Sequence, residues 1–228
     1  MGALTAGIER VTSTEPVYLL GEVKVRTPRD GDLLDDRDPA AVARALTDAG
    51  AHGVSVVTES EHFGGSLDLL TAVREAVGEP VLAKDFVASR ADVDQLAERG
   101  ADAVLLISGD LDDARLADLV AYCRDRGVDP LVETHTRDQV ETANRLGCRL
   151  VGINNRDIQR LERDDGGVER TETLAPAVRS DALVVSESAL TSGAAVRRAT
   201  DADADAVLVG TRLLTAPAVG DAVEELLP

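Results

Sequence analysis

Short runs of apolar residues alternate with amphipathic stretches along the whole chain. The apolar runs are rich in β-branched residues and are apolar on both faces, which is typical of parallel strands buried between two layers. We predict strands over residues 17–25, 53–59, 80–85, 103–108, 130–134, 149–154, 182–187 and 206–210. Helical periodicity predicts helices over residues 39–49, 67–77, 91–99, 112–126, 137–146, 171–178, 191–199 and 219–227.

This alternation of strand and helix predicts one α/β domain over residues 1–228, a (β/α)8 TIM barrel with a parallel eight-stranded core. Each unit then has roughly 28 residues, which is near the minimum for a strand, a helix and two loops. Residues 1–16 form a short N-terminal extension. The loops at 29–38 and 156–170 follow strands, so they are expected on the C-terminal face, where barrel active sites lie. They are candidate lids.

Charge and composition exclude several classes of function. The net charge of −18 argues against nucleic acid as a partner, because binding a phosphate backbone needs a basic surface. No run of 18 apolar residues predicts a membrane span, and the N-terminus lacks the layout of a signal peptide, so we expect a cytoplasmic protein. Cys123 and Cys148 are isolated and are interpreted as buried thiols.

The basic residues are unevenly divided into 22 arginines and 2 lysines. Acidic residues are spread over nearly every predicted helix, and this pattern suggests adaptation to high salt, which screens charge repulsion. Lysine loses its proton more readily than arginine when it is buried or close to another cation. Lys24 and Lys84 are therefore candidates for proton chemistry.

Polar side chains recur where the predicted strands end, and all of them are expected on one face of the barrel. They are Glu22, Lys24, Glu59, Lys84, Asp85, Glu133, Asn154 and Glu187. When two lysines lie close together, their charges repel and the pKa of one of them falls, whereas neighbouring carboxylates raise that pKa again. Such opposing effects suit a general acid and a general base. The histidines have no spacing of metal ligands, so we predict no metal, and His135 is interpreted as a packing residue.

The last two predicted strands are each followed by small residues that suit an anion site. Gly210 and Thr211 follow the eighth strand, and Ser188 and Ala189 follow the seventh. The loops after these two strands form the common phosphate site of barrel enzymes. We therefore expect a small phosphorylated substrate.

Several motifs together resemble one enzyme family in order and spacing. They are EVK followed by TP, VVTESEHFGGS, PVLAKDF, LVETH, GINNRD, VSESAL and VLVGTRLL. This pattern is similar to the indole-3-glycerol phosphate synthase family over nearly the whole chain. The resemblance implies a cytoplasmic lyase of tryptophan biosynthesis that uses no cofactor. It also implies other enzymes of that pathway as candidate partners.

The family resemblance implies a role for each candidate residue. It makes Lys84 the general acid on the substrate ketone and Glu133 the general base, while Lys24 and Glu22 assist dehydration. It places Phe63 and Phe86 against the aromatic ring, has Glu59, Asn154, Arg156 and Glu187 line the substrate, and gives the phosphate to the amides of Ser188, Ala189, Gly210 and Thr211. Arg156 either clamps the substrate carboxylate or pairs with Asp157.

Three departures from the family pattern bear on these roles. Val25 follows Lys24 where the family has arginine, and a Thr27-Pro28-Arg29 run replaces Ser-Pro-Ser. Ala189 stands in place of glycine, which costs about 1 kcal/mol if the backbone there has positive φ. The short N-terminal segment predicts that the helix that partly covers the family's active site is reduced or missing.

Two other functions are compatible with the sequence. One is a sister phosphate-binding barrel such as phosphoribosylanthranilate isomerase, which would need a cysteine and an aspartate as its acid and base. Cys123 falls inside a predicted helix, which argues against this reading. The other is a paralogue without catalytic activity that binds a phosphorylated ligand or a pathway partner, as the altered first motif and the short N-terminus suggest.

Overall fold

Eight parallel strands close into a barrel in the computed structural model, which describes residues 2–156 and 166–227. The barrel strands are β1 (Tyr18–Val23), β4 (Gly53–Val57), β5 (Val81–Lys84), β6 (Ala103–Ile107), β7 (Asp129–Thr134), β8 (Leu150–Asn154), β9 (Leu183–Glu187) and β10 (Ala206–Val209). Each strand pairs with the next one along the chain apart from the short β2 (Arg26–Thr27) and β3 (Gly31–Asp32), and β1 pairs with both β4 and β10 to close the barrel. The predicted (β/α)8 barrel is confirmed.

Helices surround the barrel, and all but the first follow a barrel strand. They are α1 (Ala3–Thr12), α2 (Pro39–Asp48), α3 (Leu67–Ala76), α4 (Arg90–Glu98), α5 (Asp113–Asp125), α6 (Arg137–Arg145), α7 (Glu169–Leu174), α8 (Gly193–Asp201), α9 (Thr211–Leu214) and α10 (Val219–Leu226). Side chains cap most of the outer helices, because an N-cap oxygen accepts from an otherwise unpaired backbone amide. Ser89 and Thr136, for example, begin α4 and α6 with full capping boxes.

The first helix was not predicted from the sequence. Leu4 and Ile8 of α1 are fully buried against the N-terminal ends of the barrel strands. The carboxylate of Asp129, the first residue of β7, accepts from the backbone amides of Gly2 at 3.1 Å and Thr5 at 2.9 Å. Helix α1 therefore lies on the face opposite the strand ends that carry the candidate residues, and it does not cover them.

Two further elements were missed. The loop after β1 contains a small antiparallel hairpin formed by β2 and β3. The single turn of α9 directly follows β10, with Gly210 at its N-cap. The described end of loop 156–170, residues 156 and 166–168, leads into α7, and the candidate lid residues 157–165 lie outside the described residues.

The barrel interior changes from apolar to polar along the strands. Leu20, Leu131 and Val185 point inward near the N-terminal end and join one buried cluster with α1. Successive inward positions on a strand are two residues apart, so Glu22, Glu133 and Glu187 form the next layer. This change of polarity places charged groups at the C-terminal mouth of the barrel.

Candidate active site

Both lysines lie at the barrel mouth and contact carboxylates. Lys24 Nζ lies 2.7 Å from Glu22 Oε2, and the side chains of both residues are almost fully buried. Lys84 Nζ lies 3.1 Å from Glu187 Oε2 and 3.7 Å from Glu22 Oε1. Glu22 therefore joins the two lysines, and the four residues form one charged network supplied by β1, β5 and β9.

Two glycines leave the space that this network needs. A Cβ atom on Gly210 would lie 2.2 Å from Glu22 Oε2, and a Cβ atom on Gly152 would lie 2.2 Å from Glu187 Oε1. Any larger residue at either position would displace a carboxylate of the network. Sequence reasoning assigned Gly210 to phosphate binding and gave no role to Gly152.

Glu187 is fully buried, and its ionisation depends on its neighbours. Burial raises the pKa of Glu187 to about 7, Lys84 opposes this shift, and the carboxylates of Glu133 and Glu22 add to it. The side chain therefore exchanges a proton close to neutral pH. Such a pKa is common at sites of proton transfer.

Glu133 lies deeper in the barrel than the lysines. Its Oε2 accepts from Asn154 Nδ2 at 3.2 Å, and its Oε1 lies 3.5 Å from His135 Nε2. Glu133 and Asn154 are fully buried. The predicted general base is therefore enclosed in the same layer as Glu22 and Glu187, with an amide from β8 bonded to one oxygen and the His135 imidazole close to the other.

Glu59 folds the loop that carries Phe63. Its carboxylate accepts from the backbone amides of Glu61 at 2.8 Å, His62 at 2.8 Å and Phe63 at 2.9 Å. Burial disfavours ionisation of Glu59, but these hydrogen bonds outweigh it and hold its pKa below the ordinary value. Glu59 thus stays charged and fixes the position of Phe63.

The two phenylalanines line one pocket with the lysines. Phe63 is buried, whereas Phe86 is 39% exposed and is the only exposed large apolar side chain in the described part of the chain. The remaining apolar lining consists of Val57, Leu105 and Ile107. This pocket offers an apolar surface next to Lys84 and suits a flat aromatic group.

A second pocket adjoins the first and shares Glu22 and Lys24 with it. It is lined by Arg156, Ser188, Ala189, Leu190, Thr191, Leu208, Val209, Gly210, Thr211 and Arg212. Arg156 is buried, and its Nε has no hydrogen-bond partner among the described residues. The structure thus brings all four predicted phosphate residues together with a buried guanidinium, and the possible partner Asp157 lies outside the described residues.

The chain matches the family model for indole-3-glycerol phosphate synthase over residues 7–226. The chain belongs to the indole-3-glycerol phosphate synthase family. It is 43% identical to the indole-3-glycerol phosphate synthase of Pyrococcus furiosus over 198 residues, which cover 87% of this chain and 86% of the relative. It is 40% identical to that of Thermococcus kodakarensis, with 92% of each chain covered.

The fold likeness extends beyond the synthase family. A thiamine phosphate pyrophosphorylase from Pyrococcus furiosus superposes with a TM-score of 0.66, although only 14% of aligned residues are identical. The superposition covers 93% of this chain and 94% of that one. At this low identity the likeness shows the shared barrel fold alone.

Ala189, where the family resemblance led us to expect glycine, has a left-handed backbone with φ +57, and its neighbour Ser188 has φ +64. Left-handed backbone disfavours a residue with a Cβ atom by about 1 kcal/mol or more. The turn that follows β9 therefore holds a conformation that its two residues do not favour.

The cysteines are remote from the mouth. Cys123 is buried in α5, where burial raises its pKa to about 12, and burial likewise raises the pKa of Cys148 to about 11. Thiols with such high pKa values are poor proton donors at neutral pH. This observation opposes the sister isomerase and agrees with membership of the synthase family.

One group of described side chains has the spacing of metal ligands, which sequence reasoning missed. The ligand atoms of Glu59, Glu61 and His62 lie within 4.8 Å of one another. Both oxygens of Glu59 already accept backbone amides, and Glu61 is exposed. The group is therefore explained by the folding of its loop.

None of the helices in the described ranges combines the length and apolar character needed to cross a membrane.

Proposed function

We propose that this protein catalyses the ring closure for which its family is named. The substrate would be 1-(2-carboxyphenylamino)-1-deoxyribulose 5-phosphate, and the products indole-3-glycerol phosphate, carbon dioxide and water. The observation that carries this proposal is the position of Lys84. Its ammonium contacts two buried carboxylates, lies beside an aromatic pocket, and is joined through Glu22 to a second pocket suited to an anion.

Lys84 would donate the first proton. The ring carbon that carries the carboxylate attacks the ketone carbon, and the ketone oxygen takes a proton from Lys84 as the new bond forms. The carboxylate then leaves as carbon dioxide, and its bonding electrons restore the aromatic ring. The nearby carboxylates of Glu187 and Glu22 hold the Lys84 side chain in position for this step.

Dehydration would use the other half of the network. The new hydroxyl leaves as water after it takes a proton from Lys24, which is held by Glu22 at 2.7 Å. Glu133 accepts the proton released from the adjacent carbon as the indole double bond forms. The amide of Asn154 holds the Glu133 carboxylate for this step.

The second pocket would bind the phosphate. The amides of Ser188, Ala189, Gly210 and Thr211 offer donors at the carboxyl ends of β9 and β10, and Arg156 offers a guanidinium in the same pocket. Buried donors that are fixed before binding interact strongly with an anion. The aromatic end of the substrate would then lie between Phe63 and Phe86.

We further propose a cytoplasmic protein adapted to high salt. The excess of acidic residues supports this proposal, as does the near absence of lysine. Exposed arginines form surface ion pairs that either lysine or arginine could form, such as Arg198 with Glu172 at 2.8 Å.

Indole fluorescence after addition of the carboxyphenylamino substrate tests the proposed function. We expect fluorescence to develop at molar KCl, with one equivalent of carbon dioxide released for each indole formed. Phosphoribosylanthranilate in a parallel sample tests the sister isomerase, which should show no turnover. Tight binding of the substrate without fluorescence at any salt concentration would contradict the proposal and identify a paralogue that only binds.

A further inference from the structure

Asn155 is a buried side chain that lines neither pocket, yet it contacts the turn after β9 that lines the second one. Its Nδ2 lies 3.0 Å from the carbonyl oxygen of Glu187, 3.3 Å from that of Ser188 and 3.1 Å from Ser186 Oγ. Its Oδ1 accepts from the backbone amide of Thr171 at 3.1 Å and from its hydroxyl at 3.0 Å. The side chain thus links the end of β8 to β9 and α7.

The two carbonyl groups that Asn155 binds belong to the two peptide units of the left-handed turn. The amide of Ser188 shares a planar unit with the carbonyl of Glu187, and the amide of Ala189 shares one with the carbonyl of Ser188. In a trans peptide the N–H points opposite to the C=O, and no cis peptide occurs among the described residues. By holding both carbonyls, Asn155 turns both N–H groups away from itself.

This anchoring matters because the turn does not favour its own conformation. Ser188 and Ala189 both have positive φ without being glycine, and such backbone persists only where the surroundings hold it. The backbone amide of Asn155 adds a second bond to the Glu187 carbonyl at 2.9 Å. A hydroxyl pair between Thr171 and Ser186 at 2.8 Å closes the network behind the turn.

We propose that Asn155 is a positioning residue for the phosphate subsite: it fixes the left-handed turn so that the amides of Ser188 and Ala189 face the bound anion. This inference rests on the proposed function, because it assigns the second pocket to the substrate phosphate. Asn155 touches no substrate. It acts through the turn, so its removal weakens phosphate binding and leaves the proton-transfer groups in place.

Asn155→Ala is the direct test. We expect the Kd for inorganic phosphate and the KM for the phosphorylated substrate to rise about tenfold, since the contacts that orient two amides are lost. The kcat should change far less than KM. An unchanged Kd for phosphate, or a loss confined to kcat, would overturn the inference.

Asn144→Ala is the matched control. Asn144 also bridges two elements with its side chain, since its Nδ2 donates to the carbonyl of Ala177 at 2.8 Å and its Oδ1 accepts from the amide of Arg179 at 3.1 Å. It lies outside the pockets, so its removal should lower the melting temperature and leave the Kd for phosphate unchanged. A similar rise in Kd in both variants would mean that Asn155 serves stability alone.

Asn155→Asp keeps the shape of the side chain and provides a second variant if the alanine variant does not fold. Aspartate still accepts from Thr171 but cannot donate to the two carbonyls, so phosphate affinity should again fall. Wild-type phosphate affinity in this variant would contradict the inference. Binding of phosphate by a wild-type protein without turnover would instead contradict the proposed function.

Discussion

Lys84 contacts carboxylates from two other strands, and this arrangement depends on a compact ammonium. Its Nζ lies between Glu187 of β9 and Glu22 of β1. Arginine would keep the positive charge but release its proton far less readily. We expect Lys84→Arg to lower kcat by roughly 10²- to 10⁴-fold, the usual contribution of a general acid, with little change in the melting temperature.

Single-turnover kinetics of the indole signal would measure this loss, and circular dichroism would check the fold. Lys24→Arg is the matched control, because Lys24 is the other lysine of the same network and would act in dehydration. The Lys24→Arg variant should form indole more slowly but release carbon dioxide at the wild-type rate. Retention of wild-type kcat by Lys84→Arg would contradict the assignment of the first acid.

Glu187 makes stability depend on pH. Its pKa in the folded protein is raised to about 7, above its ordinary value of 4.5, so the folded state holds the proton more tightly than the unfolded state. Stability from this group is complete below pH 4.5 and is lost as pH rises to about 7. A difference of one bound proton between the folded and unfolded states changes the free energy of unfolding by about 1.4 kcal/mol per pH unit.

We therefore expect Glu187→Gln to flatten the decline in the free energy of unfolding between pH 5 and pH 7. Urea titrations at constant KCl would measure it. Glu98→Gln on the exposed face of α4 is the control and should keep the wild-type slope. An unchanged slope in Glu187→Gln would show that the pKa of this carboxyl is not raised.

The sequence was enough to predict that the polar residues at the strand ends lie together, because parallel strands bring their carboxyl ends to one face. The partners of each side chain were not predictable. Glu59 accepts amides of its own loop, and Asn155 bonds to groups that are distant in sequence. Nor could the sequence determine the φ of Ala189, which depends on contacts from β8. The roles given to the site residues remain predictions.

Helix α1 is capped by a residue that is distant in sequence. Asp129 binds the amides of Gly2 and Thr5, so one carboxylate from β7 caps the helix. We expect Asp129→Ala to lower the free energy of unfolding by about 1–2 kcal/mol, which is typical for loss of a cap. The kcat should be unchanged, since α1 lies on the face opposite the lysines.

Denaturant unfolding and the indole assay would measure both effects. Asp112→Ala, which removes the local cap of α5 at Arg115, is the control and should have a similar cost in stability. A fall in kcat without a fall in stability would contradict the proposed separation of the two faces.

The regular units of the barrel were predictable because continuous apolar runs and helical periodicity agree over each segment. Helix α1 could have been found too, since Leu4, Ile8 and Val11 recur at helical spacing and are buried. The β2–β3 hairpin has two residues in each strand, and α9 has a single turn, so neither gives a periodic pattern. Such short elements follow from the contacts around them.

The whole molecule carries a net charge of −18, and its stability should depend on salt. Because like charges on the surface repel one another, salt that screens them favours the compact state. We expect the melting temperature to rise by about 5 °C or more from low to molar KCl. For a chain of this size, that rise corresponds to a gain of roughly 2 kcal/mol in the free energy of unfolding.

Scanning calorimetry in KCl measures this shift, and an uncharged osmolyte at equal osmolarity is the control, because it excludes itself from the surface without screening charge. An equal rise in both solutes would show that charge repulsion is not the cause. A melting temperature that does not change with KCl would contradict adaptation to high salt.

The capping of α1 by Asp129 has a consequence for the order of folding. During synthesis α1 leaves the ribosome before any barrel strand, but the carboxylate that binds its first amides is encoded 124 and 127 residues later. Helix α1 therefore lacks its capping carboxylate until β7 has left the ribosome. The capped helix is therefore completed only after more than half of the barrel has been translated.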